Sequence, residues 1–97
     1  MRKFKNPLEF QWDKGNIGKS IKHKVKDKET EESFFDRNHK IFKDKLHSGG
    51  EERFRIVGKT KKGRLLFIVF TMRGKKIRII SARDINKKEV YLYEEKT

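Results

Sequence analysis

RFRIVGKTKKGRLLFIVFTMRGKKIRIISAR, residues 53–83, decides the fold. It holds three runs with strand character, separated by two short turns that contain glycine. In RFRIVGK (53–59), Phe54 and Ile56 alternate with Arg53, Arg55 and Val57, the period of a half-buried strand. KKGR supplies a hairpin turn in which Gly63 is free to take a positive φ. LLFIVFTM (65–72) is apolar on both faces and reads as a central strand covered on both sides. RGKK makes a second tight turn, and IRIISAR (77–83) completes an antiparallel meander. Strict alternation along this last strand puts Arg83 on one face with Ile77, Ile79 and Ser81. Arg78 then points the other way with Ile80 and Ala82, and pairing alone does not say which face is open.

Outward from the meander, Asn86 and Glu89 have capping-box spacing, and Ile85 and Val90 form the matching hydrophobic staple. They start a C-terminal helix that carries Val90 and Tyr93 back toward the sheet. Upstream, SGGEE (48–52) reads as a turn, and HKIFKDKLH (39–47) is ambiguous between a short strand and a loop. DKETEESFFD (27–36) reads as a helix, with Asp27 as cap, early glutamates favoured by the helix dipole, and Phe34 and Phe35 anchoring its end. LEFQW (8–12) alternates as a short strand. Asp13 or Asn16 then caps a Lys-rich surface helix running to about Lys24, while Trp12 anchors the core. The expected architecture is one α+β domain over residues 1–97. Its antiparallel sheet is a three-stranded meander plus the N-terminal strand, with two N-terminal helices and one C-terminal helix.

Composition narrows the chemistry. A chain of 97 residues with 33% apolar residues has a thin core, although eight Phe and one Trp argue against disorder. The net charge of +13 attracts polyanions: RNA, DNA, anionic membranes or an acidic protein. No apolar run is long enough to span a bilayer, MRKFKNPLEF lacks the apolar segment of a secretory leader, and there is no Cys. A cytoplasmic location without a membrane partner is therefore expected. His23, His39 and His47 lack metal-ligand spacing, and no Walker, Rossmann or nucleophile-elbow pattern occurs, so no metal or cofactor is expected. Arginines on strands with a few His, Glu and Tyr suit metal-free RNA cleavage, in which the 2′-OH attacks its own neighbouring phosphate. That reaction needs a base, an acid and fixed cations, and one well-placed donor is worth about 3 kcal/mol in the transition state. On residues alone, a nuclease, a non-catalytic RNA-binding or ribosome-associated module, and a basic face holding an acidic protein all stay open.

Ordered motifs go further. FQWDKGN (10–16), KSIKHKV (19–25), EERF (51–54), GRLLFIVFT (63–71) and IRIISARDINKKEVYLYE (77–94) together resemble the BrnT family of type II toxin–antitoxin toxins. The resemblance covers about 10–94. It implies a RelE-like fold, metal-independent endoribonuclease activity that stops translation, and neutralisation by an acidic BrnA-like antitoxin. It also implies operator DNA contacts made through the antitoxin complex, and it leaves a homodimer within that complex open. Carried over by motif, the family's K-H pair falls on Lys22 and His23, and its E-R pair on Glu52 and Arg53. Its S-A-R arginine is Arg83, and its C-terminal Glu and Tyr are Glu89 and Tyr93. Arg83, with Arg53 or Lys22, would then stabilise the phosphate, while His23, Glu52 or Tyr93 moves protons. Arg64, Arg78 and Lys19 are candidate RNA contacts. This chain departs from the family pattern where Lys24 stands in place of a common Gly and Ser20 in place of the usual Asn.

Overall fold

A computed structural model describes residues 8–44 and 50–94. Along the chain come strand β1 (Phe10–Gln11), a 3-10 turn (Lys19–His23), helix α1 (Asp27–Phe34), β2 (Lys40–Asp44), β3 (Arg53–Lys59), β4 (Leu65–Arg73) and β5 (Lys76–Asp84). A second 3-10 turn (Lys87–Glu89) runs into helix α2 (Val90–Glu94). The strands form one five-stranded sheet in the order β1-β5-β4-β3-β2. The meander is as its sequence reads, and its turns use glycines with positive φ, Gly63 at 86° and Gly74 at 62°.

One face of the sheet carries the core. Phe54 and Ile56 of β3, Leu66, Ile68 and Phe70 of β4, and Ile77, Ile79 and Ala82 of β5 are buried there with Val25 and Phe34. The Phe34 ring meets Phe70 and Phe10 edge-on, at 5.1 and 5.3 Å between centroids. Burying such a side chain is worth about 1.5–3 kcal/mol. α1 approaches β3 so closely that a Cβ on Gly58 would collide with the Ser33 carbonyl oxygen, so glycine there sets the depth at which the helix lies.

Five expectations need correction. The sheet has five strands, because residues 40–44 pair with β3 from Lys40↔Val57 to Asp44↔Arg53. It is mixed, because β1 runs parallel to β5 through Phe10↔Ile77 and Gln11↔Arg78; alternation in LEFQW marks a strand but not the direction of its partner. The first N-terminal helix is replaced by turns and the 3-10 segment. Gly18 is left-handed at φ 68°, and the buried Asn16 side chain turns inward, donating to the Gln11 and Ile79 carbonyls at 2.9 and 3.1 Å. In α1 the cap is Lys26, Asp27 instead accepts the Gly18 N–H at 2.9 Å, and Phe35 is exposed while Phe34 is buried. The expected turn at 48–52 and His47 lie partly or wholly outside the described residues.

The fifth correction decides the site. Val69 pairs with Ser81 but Phe70 pairs with Ile79, so Ile80 is an extra residue in β5. Such a bulge breaks the two-residue period. Ile77, Ile79 and Ala82 all lie in the core, whereas Arg78, Ser81 and Arg83 all lie on the opposite face. The alternation that separated Arg78 from Arg83 does not survive the bulge.

Candidate active site

Directly opposed strand residues share a face, so the face away from α1 can be written as three rows across the sheet. The first holds Lys40, Val57, Phe67 and Arg83. The second holds Phe42, Arg55, Val69 and Ser81, and the third Asp44, Arg53, Thr71 and Arg78. Val57 and Arg53 are four residues apart on β3, roughly 13 Å at strand rise. The two ends of the face are therefore distinct places.

At the first row, Arg83 lies over Phe67 with its guanidinium carbon 4.3 Å from the ring centroid, a cation–π contact. Both of its terminal nitrogens donate to Glu89 at 2.8 Å, a bidentate fork that leaves Arg83 36% and Glu89 20% exposed. Glu89 comes from the start of the C-terminal helical segment and also accepts the Asn86 N–H at 3.1 Å, as its capping-box spacing predicts. The fork raises the Arg83 pKa above its ordinary value and holds the Glu89 carboxyl below its own. In the second row, the Arg55 guanidinium carbon stands 5.9 Å from the same Phe67 centroid.

The sheet end near Arg83 gathers more polar groups. Tyr93 donates its phenol to Asp36 at 2.7 Å, and Lys59 lies over the Tyr93 ring at 5.5 Å. Burial, and then the neighbouring Asp36, push the Tyr93 phenol up to about 12. Burial alone would raise the Asp36 carboxyl, but N–H groups of Asn38 and Lys59 and the Tyr93 hydroxyl hold it below the ordinary carboxylate range. Arg64 ties this end together, donating to Asp84 at 2.6 Å, to Glu29 at 3.2 Å, and to the Lys24 and His23 carbonyls at 2.7 and 3.4 Å. Lys22 and His23 are exposed on the 3-10 turn that Arg64 fastens beside Asp84, and Ser20 of the same turn accepts the Ala82 N–H at 3.0 Å. Lys24, at the position where the family commonly has Gly, has a left-handed φ of 60°.

The third row is different. Arg78 donates to Asp13 at 2.7 and 3.0 Å and to Gln11 at 3.3 Å, and its side chain is only 14% exposed. Its guanidinium lowers the Asp13 carboxyl pKa. Glu52 pairs with Lys43 at 2.7 Å, and Arg53 stands between Asp44 and Thr71 in the register. Trp12 donates to Glu31 at 2.6 Å.

The structure thus brings Arg83, Glu89, Arg64, His23, Lys22 and Tyr93 to one sheet end, and Arg53, Arg78 and Glu52 to the other; Lys19 is exposed at the start of the first 3-10 turn. Sequence reasoning assigned no role to Arg55, Phe67, Asp36 or Lys59. For Arg55 and Phe67 a signal exists: each occupies the outward parity of its strand within reach of Arg83. Asp36 and Lys59 meet Tyr93 only through the tertiary fold. Among the described residues, no group of three or more His, Cys, Asp or Glu is placed to hold a metal ion, and no helix is long and apolar enough to cross a membrane.

A family model described as ribonuclease toxin, BrnT, of type II toxin–antitoxin system matches residues 12–89, which takes in Trp12, the 3-10 turn, the meander and Glu89. No curated protein matches the chain.

Proposed function

Since the chain belongs to the BrnT family of ribonuclease toxins of type II toxin–antitoxin systems, we propose that the sheet face opposite α1 binds RNA and cleaves it without a metal ion, halting translation. The observation that carries this reading is the Arg83–Glu89 fork, seated over Phe67 on the face that α1 leaves uncovered. A planar guanidinium matches two oxygens of a phosphate as well as it matches a carboxylate. An incoming phosphodiester takes one edge of Arg83 while Glu89 keeps the other, so the cation is already aimed when the phosphorane charge develops.

Proton transfer is assigned by place. His23 stands at the Arg83 end, and histidine as a residue type exchanges protons near neutrality. It serves as the base for the 2′-OH, with Lys22 beside it as a cation for the phosphate. Tyr93, with its pKa pushed up to about 12, keeps its proton at neutral pH and acts as a donor toward the leaving oxygen once its hydroxyl turns from Asp36. At the other end Arg53 contacts the RNA backbone away from the reacting phosphate, as do Arg64 and Lys19 at the margin, while Arg78 is held by Asp13 and Glu52 by Lys43. An acidic BrnA-like antitoxin blocks the same face with carboxylates in place of phosphates, and operator DNA is contacted through that complex.

The test is digestion of RNA in excess EDTA with identification of the product ends. Cutting should persist and leave 2′,3′-cyclic phosphate and 5′-hydroxyl ends. Loss of cutting under EDTA, or 5′-phosphate ends, sinks the mechanism.

A further inference from the structure

We propose that Arg55 is a second phosphate-binding residue, gripping the RNA backbone together with Arg83 from two sides of the Phe67 ring. This rests on the reading of the open face as the site of RNA cleavage.

Placement is the first support. Arg55 pairs with Val69 in the middle row and lies diagonal to Phe67, which is itself directly opposite Arg83. Both guanidinium carbons lie near one ring centroid, at 5.9 and 4.3 Å, so they can be no farther apart than the sum of those distances. The buried ring between them is a stiff apolar floor that holds two like charges side by side.

Partners are the second support. Arg64, Arg73, Arg78 and Arg83 each hold a carboxylate at 2.6–2.9 Å. Among the described residues Arg55 forms no such ion pair, and its buried Nε has no hydrogen-bond partner. A guanidinium nitrogen drawn against a sheet without a hydrogen-bond acceptor is unfavourable. The field of Arg55 also reaches Glu89, helping to hold that carboxyl low, so Arg55 and the fork face the same space. Ser81 shares the Arg55 row and sets a hydroxyl on that face. Two forked cations beside a hydroxyl suit the paired oxygens of a phosphodiester.

The experiment uses the full chain with Arg55→Gln and Arg55→Lys, each measured three ways: cleavage of a short RNA, salt-dependent binding of a 2′-O-methyl RNA of the same sequence, and thermal melting. Arg55→Gln should lower the cleavage rate about 10- to 100-fold. It should also flatten the slope of log K against log salt by about 0.7, the loss of one single-strand phosphate contact. Melting should stay level or rise, since the half-buried Arg55 has no ion pair to lose among the described residues and its unpartnered Nε has gone. Arg55→Lys should restore the salt slope more than the cleavage rate, because a point charge lacks the fork. Wild-type cleavage and an unchanged slope in Arg55→Gln overturn the proposal, as does a lower melting temperature that accounts for both losses. If the wild type leaves RNA uncut, the ribonuclease reading fails, while an Arg55-dependent salt slope still supports the contact. Binding of polyglutamate that depends on Arg55, with no binding of the 2′-O-methyl RNA, assigns the site to an acidic protein and overturns the proposal.

Discussion

Arg78 and Arg83 stand on one strand and one face, and both are held by carboxylates, yet they do opposite things. Arg78 is gripped from the N-terminal side: Asp13 and Gln11 take its donors, its side chain is 14% exposed, and a Cβ on Gly15 would meet its Nη2 at 2.5 Å. That arginine fastens β1 to β5. Arg83 is gripped by Glu89, from a short C-terminal segment, and lies over an aromatic ring with more than a third of its side chain open. Arg78 is enclosed by the fold, whereas Arg83 is braced on one side and open on the other, which suits the substrate role proposed for it.

The largest effect that tests this contrast is on catalysis. Arg83→Ala should lower RNA cleavage by about 100- to 1000-fold, the loss of one transition-state donor, with little change in melting. Arg78→Ala should do the reverse. It lowers the melting temperature by several degrees by freeing Asp13 and the β1 edge, while cleavage per folded molecule stays near wild type. If both variants lose activity without losing stability, the distinction between the two ends is wrong.

Of intermediate size is the left-handed Lys24. A β-carbon in that conformation costs roughly 1 kcal/mol, so Lys24→Gly should raise stability by about that amount in denaturant unfolding. The Arg64 contact to the Lys24 carbonyl uses backbone and should persist.

Smallest are the pH effects, whose signs differ. The Glu89 carboxyl is held below its ordinary value by Arg83, so the stability it contributes is present above the usual glutamate range and disappears as pH falls through its folded value. The stability gap between wild type and Glu89→Gln should therefore be level near neutrality and close in acid. Tyr93, raised from 10.0 to about 12, contributes stability below pH 10 that is lost as pH climbs toward 12. In a Tyr91→Phe background its ultraviolet titration can be read directly, and an unshifted curve would remove the Asp36 contact.

Much of this was legible in sequence where the signal is local. Gly63, the alternation in 53–59, the doubly apolar 65–72 and the Asn86–Glu89 spacing each specify a conformation within a few residues. What stayed illegible depends on distant partners. KIFKD is a strand because β3 offers an edge, and Asn16 turns inward because the Gln11 and Ile79 carbonyls need a donor. The bulge was hidden for a simpler reason. Ile79 and Ile80 are identical, so no change of residue type marks where the period slips, yet that slip sets Arg78 and Arg83 on one face. Family resemblance located Arg83, Glu89 and Tyr93, but Arg55 emerged only once the rows across the sheet were known.

The pairing of β1 with β5 has a kinetic side. Its fastenings join residues far apart in the chain: Asn16 to Ile79 across 63 positions, Ser20 to Ala82 across 62, and Arg78 to Gln11 across 67. Such contacts close large loops before they return any energy, which slows the search for the native state. During synthesis the N-terminal strand waits for its neighbour until β5 has left the ribosome. The arginine face therefore assembles only once β5 is available, because Arg78 and Arg83 both stand on it.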